Sequence, residues 1–547
     1  MRSARRLAAV VPTVLSYANA LRSLSAFLAR PVSGADCREL VRGRLETREP
    51  RFLECMRRLV YEVPTSPYLA LLKLAGCEYR DLERMVTQRG LDPTLEALYQ
   101  AGVYLSFEEF TGGTEVTRGG RSVKFDFRDL DNPLLVGPVE ERTGGSRSGG
   151  RRVSISFEEI AERTTITRYL SMEALDAADM VPIIWLSGFP VGGLSVWLSL
   201  ARLRRPPRRW FSTSPPEYAY GGKSRYLINA ARLLARSRGC VLPAPEFIRL
   251  GEVGVVLDAV LEASRHQAGC VVISKPSFAV RLAALARRRG ISLTRVCFQM
   301  LNEPLTPGKA LEIRAAGARV GSLYGFHEGG LPGLACGNPV EPDDMHFVAD
   351  CYGLIQRTRE YAGVPVQSYM FTSLLPHTAK VLLNVEIDDF GLFEPRRCGC
   401  PLDDLGYRYH LANVRSFTKL TGEGVTVFGT NCVHIIEEVL PRTFGGQSVD
   451  YQLLEVEDER HLTQLLLLVS PRLGSLDEQA VRDRFISALA AEERVSMPEL
   501  WRQADTIQVL RQDPVHTAAG KLFPFHTIAL SELQKVLESP GTVPLRT

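Results

Sequence analysis

The sequence predicts an α/β protein built from more than one unit, and three observations carry that expectation. From Val271 onward, apolar runs alternate with amphipathic stretches: Val271–Ser274, a helix through Arg289, Thr294–Phe298, a helix around Ala310–Ala316, and Arg319–Leu323. Two consecutive βαβ units of this kind imply a parallel sheet buried on both faces. The stretch from about Gly34 to Tyr104 instead repeats apolar residues at helical spacing. After about Asn413 strands and helices mix in a compact α+β pattern. The length agrees, since 547 residues exceed one core at ~100–200 residues per domain. The expected division is a helical lead-in over 1–104, a large α/β domain over 105–414 and a small α+β domain over 415–547.

Each element has a local reason. In the lead-in, the runs beginning at Cys37, Phe52 and Tyr68 repeat apolar positions three and four apart, and Pro64 and Pro67 break the run between the last two. Upstream, Arg2, Arg5 and Arg6 followed by Leu7–Leu15 and Ala18-Asn19-Ala20 imitate a signal peptide. Pro12 interrupts the apolar stretch, however, and the helical pattern resumes through Leu21, Leu24 and Phe27, so a helix is expected there. Short glycine-rich strands follow between Gly112 and Gly150. In a parallel sheet ligands sit beyond the carboxyl ends of the strands, where Tyr324–Glu328 fall. In the last part, strands are expected at Val425–Phe428, Tyr451–Leu454, Leu465–Ser470 and Thr506–Leu510, with helices at His434–Leu440 and Glu478–Ala491.

Composition narrows the function classes. Hydrophobic residues make up 45% and charged residues 23%, which excludes a disordered chain and a coiled-coil rod. The net charge is only +4 over 66 basic and 62 acidic side chains, so neither nucleic acid nor an anionic membrane is expected as a partner. No apolar stretch reaches the ~18–20 residues that span a bilayer. The 11 cysteines read as reduced thiols of a cytoplasmic protein rather than a secreted disulfide framework. The basic runs Arg202–Arg209 and Arg287–Arg289 read first as solvated faces, and second as a dock for the phosphates of a coenzyme or an acidic carrier protein.

Three motifs can carry chemistry. The segment Thr143-Gly144-Gly145-Ser146-Arg147-Ser148-Gly149-Gly150 offers backbone N–H groups and hydroxyls to a phosphate, although such loops also serve as plain connectors. It is not a Walker loop, and Gly222-Lys223-Ser224 fails as one because Glu217 stands at the first glycine. Tyr324-Gly325-Phe326-His327-Glu328 puts a carboxylate on a glycine-flanked turn, which suits a magnesium ion bridging phosphates. A zinc-protease helix is ruled out because Leu331 occupies the second histidine position. Near the end, Gly520-Lys521 places a lysine that alone would read as a surface residue.

In this order and at these separations the three motifs resemble the adenylate-forming superfamily of acyl- and aryl-CoA synthetases and adenylation domains, in particular its phenylacetate–CoA ligase-like branch. The resemblance runs from about Leu105 to the end. It implies that Thr143, Gly144, Gly145, Ser146, Ser148 and Gly149 hold the phosphates of ATP, and that Tyr324, Gly325 and His327 line the nucleotide. Glu328 would hold Mg2+. Asp389, in Glu386-Ile387-Asp388-Asp389, looks like the aspartate that grips the ribose, and Arg415 in Asn413–Phe417 like the hinge-side arginine. The stretches Gly422–Phe428 and Ile435–Leu440 resemble the family's post-hinge region, so the last domain would be mobile, with Lys521 as its catalytic lysine. Three positions depart from the family pattern: Arg147 stands for Thr, His327 for Ser or Thr, and Asp388 for the Gly before the aspartate.

A fourth constellation is separate. Cys336, His346, Cys398 and Cys400 offer three thiolates and one imidazole, a set suited to structural zinc, although the spacing is not that of a standard finger. Some members of the same branch have a similar Cys…His…Cys-x-Cys site. The alternative is free cysteines beside an unrelated histidine. The resemblance implies an enzyme that converts a carboxylic acid, aryl or similar, and ATP to an acyl-AMP, then transfers the acyl group to a thiol, most simply coenzyme A. A carrier-protein thiol or an amine as acceptor, a non-catalytic nucleotide-binding homologue and a homodimer stay open. Trp185, Phe189, Tyr220 and Phe298 would suit an aromatic acid, or simply pack in a core.

Overall fold

The computed structural model describes residues 21–112, 114–135, 139–142, 152–186, 193–213, 223–326, 328–361, 364–416, 419–422, 425–428, 434–492, 506–515 and 525–527. The parallel sheet expected from Val271 is present and extends further toward the N-terminus. Its six strands are β1 (Val181–Trp185), β2 (Arg209–Ser212), β3 (Pro245–Phe247), β4 (Cys270–Ser274), β5 (Val296–Met300) and β6 (Arg319–Ser322). They lie in the order β6-β5-β4-β1-β2-β3, every pair parallel. The order reverses between β1 and β4, and crevices at such a switch point hold ligands. Alternation along β5 sends Val296, Phe298 and Met300 toward the helices Val253–Ser264, Pro276–Arg288 and Pro307–Ala315, and Cys297 toward the opposite core.

A second sheet was not anticipated from the sequence. Its seven strands are β7 (Tyr324–Phe326), β8 (Gly330–Ala335), β9 (Met345–Phe347), β10 (Tyr352–Tyr361), β11 (Val364–Ser373), β12 (Val385–Pro395) and β13 (Tyr409–Ser416). The order is β7-β8-β9-β13-β12-β11-β10, every pair antiparallel. Only Leu323 separates β6 from β7, so the chain steps directly from one sheet into the other there. Its N–H donates to Met300 O at 2.8 Å, which anchors the step to β5.

The lead-in is helical as expected, with Gly34–Glu46, Arg48–Met56, Pro67–Leu74, Tyr79–Arg89 and Leu91–Gln100. Ser33 caps the first of these through the Asp36 N–H, and Asp36 caps Ser33 in return. These helices share one apolar core with the antiparallel sheet, Phe52, Leu71 and Leu95 packing with Tyr352, Phe371 and Leu383. Polar contacts fix the packing: Arg51 donates to Asp350 O at 2.8 Å and Tyr68 to Val381 O at 3.1 Å. In the last part the expected strands appear as Val425–Phe428, Tyr451–Glu457, Thr463–Val469 and Ile507–Leu510, and the helix as Glu478–Glu492. The helix expected at His434–Leu440 is instead a wide π-type turn, Ile435–Val439, continued by a short α-helix, Leu440–Phe444. Lys309, buried in the seam with Glu303, donates to Thr463 Oγ1 at 3.0 Å and docks this part on the helix Pro307–Ala315.

Asn384 joins lead-in to sheet. It is fully buried at φ +50, a conformation asparagine tolerates, and its amide donates to Leu95 O at 2.8 Å and Val103 O at 3.2 Å. Asn384→Ala removes both contacts and should lower stability by about 1–3 kcal/mol. Urea unfolding should show that loss as a lower midpoint at unchanged slope; an unchanged midpoint would mean that Asn384 does not help hold the helices on the sheet.

Candidate active site at the junction of the two sheets

The Tyr324–Glu328 turn lies where the parallel sheet hands over to the antiparallel one. Gly325 on β7 is required by crowding, since a Cβ there would sit 2.6 Å from Gly330 O. Glu328 follows, half-buried. The turn is braced from behind by residues that no local motif announced. Tyr352 donates its hydroxyl to Gly329 O, Arg163 Nη1 donates to Tyr352 Oη at 2.6 Å, and Glu159 pairs with Arg163, all three side chains buried. Gly330 adopts φ +92, and a Cβ there would meet Arg163 Nη1 at 1.7 Å. The brace therefore requires glycine at that position.

Asp389, on β12, is buried beside this turn. Tyr324 donates to its Oδ2 at 2.8 Å and Ser416 to its Oδ1, so one carboxylate ties β7, β12 and the end of β13 together. Burial, and then the neighbouring Asp389, push the Tyr324 phenol well above its usual range, so it stays a donor. Asp388 sits at φ +74, the left-handed region that favours glycine. The departure at this position is thus a side chain in a glycine conformation, inside a β12 whose pairing with β13 is irregular. Arg415 lies opposite Phe390 in that pairing, with Nη1 3.5 Å from Asp343 Oδ2, and Asp343 also accepts from the Asn413 N–H at 3.1 Å. Lys380 is fully buried near the turn; it pairs with Asp131 at 2.6 Å and donates to Phe127 O at 2.7 Å. Burial lowers the Lys380 pKa, offset in part by Asp131 and the more remote Glu328 carboxylate.

Cys336, His346, Cys398 and Cys400 are brought together, their ligand atoms all within 4.8 Å of one another. His346 Nε2 lies 3.1 Å from Cys400 Sγ and 3.3 Å from Cys398 Sγ, and its Nδ1 lies 3.1 Å from Tyr407 O. That carbonyl selects the tautomer that leaves Nε2 free to ligate. Cys336 and then His346 hold the Cys400 thiol far below its ordinary range through hydrogen bonds. A second layer is made by Asp344, which takes His410 Nδ1 at 2.7 Å and Arg396. Burial pushes the Asp344 carboxyl up, but the His410, Val340 and Arg396 contacts together hold it below the usual range.

Other expected site residues fall elsewhere. Thr143, Gly144, Gly145, Ser146, Ser148 and Gly149 lie outside the described residues, between strands Val139–Arg142 and Arg152–Ile155, which pair antiparallel. His327 and Lys521 also lie outside them, as do Phe189 and Tyr220. Trp185 and Phe298 are fully buried in the core on the helix side of the parallel sheet, where packing accounts for both. No helix among the described residues is long and apolar enough to cross a membrane.

Asp388 gives a measurable consequence. Asp388→Ala and Asp388→Gly both remove the carboxylate, but only alanine keeps the strained φ. The glycine variant should be the more stable of the two by about 1 kcal/mol, measured as the difference between their unfolding free energies. Equal stabilities would show that the backbone relaxes away from φ +74 at no cost.

No family model and no curated protein sequence matches the chain. Among solved structures, it is similar to 2-hydroxyisobutyryl-CoA ligase in complex with 2-HIB-AMP and CoA in the thioesterification state. The TM-score is 0.54 at 12% identity, covering 90% of this chain and 92% of that one. The same ligase in its post-adenylation state gives 0.45 at 13% identity over 90% and 91% of the two chains. The amide bond synthetase McbA from Marinactinospora thermotolerans gives 0.40 at 14% identity over 92% and 98%. What the first of these likenesses shows is the fold: the chain has the α/β architecture of the adenylate-forming ligases.

Proposed function

We propose that the protein activates a carboxylic acid with ATP and transfers the acyl group to a thiol, most simply that of coenzyme A. The observation that carries this reading is the junction itself. The turn carrying Glu328 and the strand carrying Asp389 both belong to the antiparallel sheet and are tied by Tyr324 where that sheet adjoins the parallel one, and they match the turn and the strand where the family pattern has its metal and ribose ligands. In the first step a carboxylate oxygen of the acid attacks the α-phosphorus of ATP, and pyrophosphate leaves. In the second, the thiol sulfur attacks the acyl carbon, and AMP leaves.

The difficulty of the first step is repulsion between carboxylate and phosphate charge. Mg2+, when bound at Glu328, would offset part of it. The N–H groups and hydroxyls of Thr143–Gly149 would hold the phosphates, with Tyr324, Gly325 and His327 along the nucleotide. Asp389, fixed by Tyr324 and Ser416, would take the ribose hydroxyls. Arg415 would close the hinge side, held by Asp343. Lys521, on a C-terminal part that begins near residue 415 and reorients between the steps, would place its ammonium where negative charge builds up.

We also propose zinc at the Cys336, His346, Cys398 and Cys400 cluster. Three sulfurs and one imidazole within 4.8 Å, with Nδ1 of His346 already engaged, fit a closed tetrahedral site, and its role there is structural. The same cluster supports placement in the phenylacetate–CoA ligase-like branch. Metal analysis should find about one zinc per chain. The double variant Cys398→Ser, Cys400→Ser should lose the metal and much of the stability; a metal-free, fully stable wild type would remove the assignment.

The activity is tested by exchange of labelled pyrophosphate into ATP over a panel of carboxylic acids with Mg2+. Lys521→Ala should slow acyl-AMP formation by roughly 10²–10³-fold, the effect of losing one placed charge contact. Given synthetic acyl-AMP, the same variant should still acylate coenzyme A at near the wild-type rate. Equal damage to both steps would make Lys521 structural, and exchange with no acid would defeat the adenylation reading.

A further inference from the structure

Three described arginines are buried, and they are not alike. Arg44 pairs with Glu162 at 2.6 Å and Arg163 pairs with Glu159. Arg168, on the helix Thr165–Ala174, is 1% exposed, and among the described residues it pairs with no carboxylate; its Nη1 donates to Gln299 Oε1 and its Nε has no partner there. Burial alone pulls the Arg168 pKa down to about 10. A guanidinium has five donors, and leaving such a cation uncompensated in a protein interior costs several kcal/mol. Folds keep a charge of this kind where function requires it.

Its position says what it faces. Gln299 is the penultimate residue of β5, opposite Ile273 of β4 and Gly321 of β6, so it lies at the carboxyl end of the parallel sheet, three residues in register before Tyr324. Its amide is held the other way round by donation to Ser171 Oγ at 2.8 Å, which fixes Oε1 toward Arg168. Arg163, five residues earlier on the same helical stretch, braces Gly329 and Gly330 beside Glu328 through Tyr352 and its own guanidinium. Arg168 is therefore ~7–8 Å further along the helix than the residue that braces the turn.

We infer that Arg168, oriented by Gln299, receives a second anionic group of the acid, so that the substrate class is a dicarboxylate. The inference rests on the adenylation reading for what happens at the other end. The reacting carboxylate lies by Glu328 and Asp389, and the distal carboxylate supplies the counter-charge that Arg168 lacks. A monocarboxylic acid of equal length would leave the guanidinium uncompensated.

The test uses the full-length protein and matched pairs of acids, hexanoate with adipate and phenylacetate with 4-carboxyphenylacetate. In pyrophosphate exchange, kcat/KM should favour the dicarboxylate of a pair by ~10-fold or more, the factor expected for one charge-assisted contact. Gln299→Glu gives Arg168 an internal carboxylate. It should erase the preference while raising Tm. Arg168→Met should do the same by removing an uncompensated buried charge, whereas a structural arginine would lower Tm on removal. Equal use of both acids by the wild type, or a preference that survives in Gln299→Glu, overturns the inference. If no acid supports exchange, thermal protection separates the two readings. A Tm rise with adipate but not hexanoate, seen in wild type and absent in Gln299→Glu, keeps the anion site although adenylation has failed; no such rise removes the site.

Discussion

One buried carboxylate organises the junction on which the rest of the structure depends. Asp389 accepts from Tyr324 at the start of the antiparallel sheet and from Ser416 at the end of its strand β13. The parallel sheet ends at Ser322, two residues before Tyr324, and no described strand after Ser416 joins either large sheet. Strands β7, β12 and β13 therefore meet on two oxygens in a low-dielectric setting, where hydrogen bonds to a carboxylate are worth far more than in water. The strained backbone at Asp388 persists because its neighbours are fixed from both sides.

The same logic of compensated charge runs outward from that point. Glu159, Arg163 and Tyr352 form a buried chain that ends on the carbonyl of Gly329 and sets the path of the turn carrying Glu328. Asp343 and Asp344, adjacent in sequence, reach in two directions: one to the Asn413 N–H and Arg415, the other to His410 and Arg396. The loop between β8 and β9 thereby links the cysteine–histidine cluster to the strand that leads toward the C-terminal part. Arg168 stands out because it has no such partner among the described residues.

How much of this could be read from the sequence depends on the range of each interaction. The βαβ units from Val271 to Ser322 were legible because a strand buried on both faces and an amphipathic helix each leave a local pattern. The helices of the lead-in and the strands at Tyr451 and Thr463 were legible for the same reason. The seven-stranded sheet was not. Its strand β12 reads Val385-Glu386-Ile387-Asp388-Asp389, and the acidic residues are buried by pairing with Ser368, Tyr324 and Ser416 rather than exposed by alternation. At the site, the glycine-flanked turn and the cysteines carry short-range signals. Arg163 and Tyr352, 189 residues apart, carry none, because what makes them partners is the fold. Lys380 and Asp131 are invisible for the same reason.

The central claim is that this junction holds an acid and ATP so that a carboxylate oxygen reaches the α-phosphorus. Oxygen labelling tests that bond directly. An active acid enriched with 18O in its carboxylate is turned over with ATP, Mg2+ and hydroxylamine as the acyl acceptor, and the products are weighed by mass spectrometry. One labelled oxygen should appear in AMP. Label in orthophosphate, or acyl product with none in AMP, would mean that the acid attacks elsewhere and that the assignment of Glu328 and Asp389 to adenylation is wrong.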